Sequence, residues 1–205
     1  MSKEYPIAQD YIDDITLLEP EGVYSYADYL KWTFEERVEL IKGKIFKMSP
    51  GPRTNHQTAS INLASEINFF LKGKECKVFA APFDVRLPKK LSDSDSETFT
   101  VVQPDICVIC DLEKIDELGC KGAPDLIVEI LSPSTAKKDL ENKFELYEEN
   151  QVKEYWIVYP GENIIEVFDL ENGKYASRGK FIADAKLKSN ILPGLEIDLK
   201  DVFEG

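Results

Sequence analysis

Apolar and polar positions recur with regular periods along most of the chain between residues 38 and 170. Residues 38–48 carry two short β-prone runs around Lys42-Gly43, the pattern of a hairpin turning at that pair. Ser49, Pro50, Gly51 and Pro52 then break the chain. Over 55–71, Ile61, Ala64, Ile67, Phe70 and Leu71 recur at three and four, which predicts a helix stopped by Gly73. Three β-rich segments follow at 78–87, 101–110 and 125–131, the second reading as one long strand, with a polar acidic loop at 92–97. Ser132 and Ser134 offer caps for a second helix over 136–150, and strands at 154–158 and 164–170 flank a Pro160-Gly161 turn. The order of helix, three strands, helix and two strands predicts a mixed α/β sheet in one domain, 1–205. Residues 1–30 read as an N-terminal extension and 171–205 as a C-terminal one.

Composition narrows the class. With 205 residues, 43% hydrophobic and 31% charged, the chain is long and apolar enough for one real core. No apolar run approaches the ~20 residues of a membrane helix. The first residues lack the apolar stretch of a signal peptide, so a cytoplasmic protein without a membrane partner is expected. Cys107 and Cys110 fall on a predicted strand that sends them to opposite faces, which suits neither a zinc knuckle nor a redox turn. All four cysteines, Cys76 and Cys120 included, are expected as buried reduced thiols. A net charge of −13 opposes broad non-specific nucleic-acid binding, although a bound metal or a basic patch reverses the field at a single site.

The strongest chemical signal is Glu129, a carboxylate within the aliphatic run 125–131, where period two places Asp125, Ile127 and Glu129 on one face. A buried carboxylate costs several kcal/mol unless it is paired or metal-bound, so Glu129 either meets a Lys or Arg or belongs to a site. Asp105, directly after Pro104 on the preceding strand, is alone a weak signal, either a turn residue at a strand entrance or a second site carboxylate. Together, two carboxylates converging from neighbouring strands suit magnesium or manganese, with water filling the remaining positions. Lys143 sits at the edge of the stripe Leu140, Phe144, Tyr147. Its ammonium either snorkels to solvent or stands beside Glu129, where it would stabilise phosphoryl charge. Lys137 and Lys138 would add positive potential at the same helix start. Two outer candidates remain. Glu39 is a ligand reaching from the hairpin or a plain strand residue, and His56 is a proton shuttle or DNA contact, or else a structural neighbour of the helix start. Asp84 reads as the partner of Arg86 or of a turn amide, and no GxxxxGK or GxSxG occurs.

Pro104-Asp105, the string 124–135, Asp139, Lys143, Tyr147 and Glu154-Tyr155-Trp156 resemble the Uma family, restriction-endonuclease-like proteins of the PD-(D/E)XK superfamily. Residues 39–44, Met48-Ser49-Pro50, His56-Gln57 and 82–87 extend the likeness over roughly residues 30–170. The resemblance implies a restriction-endonuclease-like fold with an α-β-β-β-α-β core, the order already read from the periodicity. It also implies that Asp105 and Glu129 are metal ligands, assisted by the carbonyl of Ile130. The superfamily lysine two residues beyond the glutamate would fall on Leu131, and the family places it on the following helix, here at Lys143. The expected function is a magnesium- (or manganese-) dependent endonuclease acting on DNA, with RNA left open. A homodimer is expected for cutting two strands. Two other readings stay open: a nuclease-fold binding or regulatory module that does not cleave, and a metal-dependent hydrolase of a small phosphorylated substrate. No separate DNA-reading motif is present in the sequence.

Overall fold

The computed structural model describes residues 11–48, 53–132 and 138–204. The expected break at 49–52, the cap at Ser134 and the potential of Lys137 and Lys138 rest on groups outside the described residues. In chain order the elements begin with α1 (Tyr26–Tyr29), β1 (Val38–Ile41), β2 (Lys44–Lys47), α2 (Thr54–Leu71), β3 (Lys77–Ala80), β4 (Val85–Arg86) and β5 (Val101–Val102). Next come β6 (Ile106–Ile109), β7 (Ile115–Asp116), β8 (Gly119–Lys121), β9 (Leu126–Ile130) and α3 (Lys138–Glu149). The last are β10 (Glu154–Tyr159), β11 (Ile164–Glu171), β12 (Lys174–Ile182), β13 (Lys186–Lys188), β14 (Glu196–Asp198) and α4 (Leu199–Phe203). They fall into two compact units, Met1–Met48 with Arg86–Val102, and Ser49–Val85 with Gln103–Gly205.

In the first unit β1 and β2 form the predicted hairpin, and Lys42 (φ 52°) and Gly43 (φ 81°) both adopt the left-handed backbone of a type I′ turn. β1 also pairs with β5 at Leu40 opposite Val101. Tyr26, Leu40 and Val101 are buried there against Tyr24, Tyr29, Trp32 and Ile45.

The second unit is built on a sheet of order β12-β11-β10-β9-β6-β3. β3, β6 and β9 run antiparallel, while β9 and β10 are parallel and joined through α3. Parallel neighbours need such a crossover, and the succession α2-β3-β6-β9-α3-β10 is the core expected from the sequence. On one face Leu126, Val128, Ile130, Trp156 and Val158 pack with Ala59, Leu63, Ile67 and Leu71 of α2. The other face carries rings: Phe144 and Tyr147 of α3 meet Phe168 and Tyr155 with centroids 4.9 and 5.2 Å apart. Leu187, Leu192, Leu195, Ile197, Leu199 and Val202, all beyond residue 171, join the same core as α2.

Residues 101–110 do not form one strand. Pro104 has no N–H to donate to a ladder, and the run divides into β5 in the first unit and β6 in the second.

The expectation of four reduced thiols is also corrected. Cys76 and Cys110 form a disulfide, one register step beyond the Lys77–Ile109 pair of β3 and β6, whereas Cys107 and Cys120 are buried free thiols. Thiol titration of the denatured, unreduced protein should count two cysteines, rising to four after reduction. A count of four before reduction would overturn the pairing. Among the described residues no helix is long and apolar enough to cross a membrane.

Candidate active site

The register of β6 and β9 sets Ile106 opposite Val128, so one step further Asp105 lies opposite Glu129. Residues facing one another across antiparallel strands share a side of the sheet. The backbone of Asp105 is held by its carbonyl, which accepts from Ala81 N–H at 3.0 Å. Its Oδ2 accepts from the Ile130 N–H at 2.7 Å. Oδ1 is 3.4 Å from Nε2 of His56, in the first turns of α2, whose side chain is 12% exposed.

His56 therefore stands beside Asp105, bringing together two residues that the sequence put forward separately. Burial works against its imidazolium, but the bond and charge of Asp105, the Ile130 carbonyl and the charge of Glu129 outweigh that, and it titrates above its ordinary value. The stability this contributes is fully present below the unfolded value of about 6.5 and is lost as pH rises through the raised folded value. The chain has one histidine, so a single imidazole signal reports it by proton NMR. In the metal-free protein its midpoint should lie above about 6.5 and fall in Asp105→Asn. A midpoint at or below about 6.5 in the unsubstituted chain would contradict the pairing.

Glu129 is satisfied from α3. Its Oε1 accepts from Lys143 Nζ at 2.9 Å and from the Tyr147 hydroxyl at 2.6 Å. Lys143 and Tyr147 are one helical turn apart and so share a face. The side chains of Lys143 and Glu129 are only 12% and 11% exposed, so the lysine does not snorkel to solvent.

Asp125 and Asp84 have partners of their own. Asp125 clamps the start of β9, accepting from Cys110 N–H at 2.8 Å and from Lys153 at 2.6 Å. Asp84 accepts from the Gln103 amide at 2.8 Å. Glu39 stands buried on β1 of the first unit. Leu131, at the position of the superfamily lysine, continues the β9–β10 ladder by donating its N–H to Val158. Two polar groups went unassigned by sequence reasoning: Tyr147, as a donor to Glu129, and Glu154. The latter is fully buried and accepts from Trp156 Nε1, Ser189 Oγ and the N–H groups of Asn190 and Ile191 at 2.7, 3.0, 2.9 and 3.1 Å. Its signals were a charge opening the apolar run Tyr155-Trp156-Ile157-Val158 and its place in a string of the resemblance, neither of which gave it a role.

The mixed sheet and the facing pair Asp105–Glu129 define a chain of restriction-endonuclease-like build. The Uma2 family model, described as "Putative restriction endonuclease", matches residues 26–200, and the chain belongs to this family. At family level this places it with nucleases, hydrolases of phosphodiester bonds. An uncharacterized protein of Synechocystis sp. (strain ATCC 27184 / PCC 6803 / Kazusa) is 29% identical over 134 residues. That match covers 64% of this chain and 66% of the relative, just under two-thirds of its length. A crystal structure from Anabaena variabilis ATCC 29413, described as a "putative nuclease belonging to DUF820", is similar in fold. Its TM-score is 0.67 at 21% identity, covering 88% of this chain and 98% of that one.

Proposed function

We propose that the chain is a metal-dependent endonuclease acting on DNA, in which Asp105 and Glu129 hold magnesium or manganese. The observation that carries this reading is the meeting of Asp105, Glu129, Lys143 and His56 at one end of the β6–β9 pair. The donor chemistry fits. Two carboxylates and the neighbouring Ile130 carbonyl are hard oxygen donors, and magnesium characteristically takes one or two carboxylates and fills the rest with water and phosphate oxygens. Among the described residues no cluster of three or more His, Cys, Asp or Glu is assembled that could hold a metal.

Such an ion supplies an acidified water and neutralises charge on the phosphate. The chain's own groups do the rest. The Ile130 N–H fixes one oxygen of Asp105 and so orients the other. Tyr147 orients Glu129. Lys143, already largely withdrawn from water, places an ammonium where charge develops on the phosphoryl group. His56 keeps a proton beside Asp105 for the departing oxygen. A homodimer presents two such sites to the two strands of a duplex.

One observation favours a second reading, a module that does not cleave: protein donors already occupy Asp105 Oδ2 and Glu129 Oε1. Calorimetric titration of manganese into the unsubstituted chain and into Asp105→Ala/Glu129→Ala decides between them when the same preparations are incubated with plasmid and single-stranded DNA. Saturable binding and metal-dependent cleavage, both lost in the double variant, are expected. Equal metal binding by the two proteins would remove the nuclease reading and leave the module.

A further inference from the structure

Ala59, Leu63, Ile67 and Leu71 turn α2 into the core of the second unit. The opposite face of the helix is not polar throughout. Ile61, part of the apolar stripe that predicted the helix, is 63% exposed, and Phe69 is 78% exposed. Gln57, Ile61, Ser65 and Phe69 follow at intervals of four, which makes them one ridge along the helix, and all four are exposed. On one flank of the ridge α4 is fastened by the Asn62 amide, which donates to the carbonyls of Asp201 and Val202 at 3.0 and 3.2 Å.

Single apolar side chains scattered over a surface need no partner, but these two share one ridge, and the ridge is nearly free of charge. The chain is 31% charged with a net −13, yet Thr54–Leu71 holds one carboxylate, Glu66, and no Lys or Arg. A basic partner would find almost nothing to pair with here. A helix lying on a membrane would border its apolar face with Lys and Arg, which are missing. A second copy of the chain fits better. Two bodies of net −13 repel each other, so they associate most readily where charge is sparse. A two-fold contact also needs a patch that complements itself. Ile61 and Phe69 stand four residues before and after Ser65, roughly 6 Å to either side along the helix. In an antiparallel pair with the two-fold axis at Ser65, each Ile61 meets Phe69 of the other copy. The small serine lets the helices approach where they cross, and ridges of this spacing pack together in the commonest class of helix pair.

We propose that two copies of the chain associate through α2, antiparallel about a two-fold axis at Ser65, with Ile61 of each copy packed on Phe69 of the other. This gives a surface to the homodimer of the nuclease reading and rests on that reading for the dimer alone, not for cleavage. His56 lies on the same helix but faces Asp105, so pairing through the outer ridge leaves it in place.

The test is the mass of the full chain in solution, read by sedimentation equilibrium across micromolar concentrations without metal or DNA. It compares the unsubstituted protein with Ile61→Lys, Phe69→Lys and Ile182→Lys. All three positions are exposed, so the substitutions spare the fold, which circular dichroism checks. The mass of two chains is expected for the unsubstituted protein and for Ile182→Lys, whose site is on the edge strand β12. Ile61→Lys and Phe69→Lys should each raise the dissociation constant by about thirtyfold or more, the loss of a central apolar anchor that a two-fold contact contains twice. Ser65→Cys tests the axis. Under mild oxidation it should give a disulfide-linked dimer that dithiothreitol reverses, and adding Phe69→Lys to the same chain should suppress it. The mass of one chain for the unsubstituted protein would overturn the proposal. So would association retained in both Ile61→Lys and Phe69→Lys, association lost in Ile182→Lys, or no cross-link in Ser65→Cys. A monomer that cleaves DNA with metal would strike this interface and keep the nuclease reading, whereas a dimer through α2 without cleavage would do the reverse.

Discussion

Replacing Lys143 by methionine is expected to lower metal-dependent cleavage by about 10²- to 10³-fold while manganese still binds. Methionine keeps much of the aliphatic stem but removes the ammonium 2.9 Å from Glu129. In the catalytic role, the lost charge is one that acts on the phosphoryl group as negative charge develops, where a largely desolvated cation is worth most. In a purely structural role, the ammonium merely balances a buried carboxylate. Its loss would then cost stability, about 1–3 kcal/mol for a hydrogen bond removed from a buried charged group, and leave turnover per folded molecule unchanged. Single-turnover cleavage on protein shown folded by circular dichroism separates the two. Turnover within a few-fold of the unsubstituted chain would remove Lys143 from the mechanism.

Glu154→Ala should destabilise the second unit by about 3–5 kcal/mol, the range for breaking a buried charge network by removing one partner. The carboxylate is fully buried and gathers the Trp156 indole, the Ser189 hydroxyl and two backbone N–H groups, with Arg178 3.4 Å away. Alanine would strand those donors and release residues 189–191 from the start of β10. Glu154→Gln, which keeps an acceptor but turns an NH₂ toward donors, should fall between the two. Urea denaturation followed by tryptophan fluorescence reads both variants, since Trp156 donates to the carboxylate itself. A loss below about 1 kcal/mol for Glu154→Ala would mean that solvent or neighbours replace the network.

Legibility differed from residue to residue for identifiable reasons. Glu129 stood out because a charge between Leu126-Ile127-Val128 and Ile130-Leu131 is costly wherever the strand is packed. Lys143 was left between solvent and Glu129, because a helical stripe reveals which face is apolar but not which strand lies beneath its edge. His56 was left between a proton shuttle or DNA contact and a structural neighbour of the helix start, since its value comes from Asp105 arriving at the start of α2. β12 escaped notice for a different reason. Lys174 to Ile182 mixes polar and apolar residues on both faces, so period two is weak there, although Asn172-Gly173 (φ 51° and 79°) was a readable hairpin turn.

The sequence by itself determined the order α2-β3-β6-β9-α3-β10, the β1–β2 hairpin and the two carboxylates most in need of partners. These depend on periods of two and 3.6 and on the cost of isolated charge, which act among near neighbours along the chain. Only the tertiary structure decided that His56 meets Asp105, that Lys143 and Tyr147 meet Glu129, that Cys76 pairs with Cys110 and that Glu154 anchors residues 189–191. It also decided that residues 101–110 divide between two units. Each of these depends on strand register or helix docking, and those are settled by the packing of whole faces rather than by any local pattern.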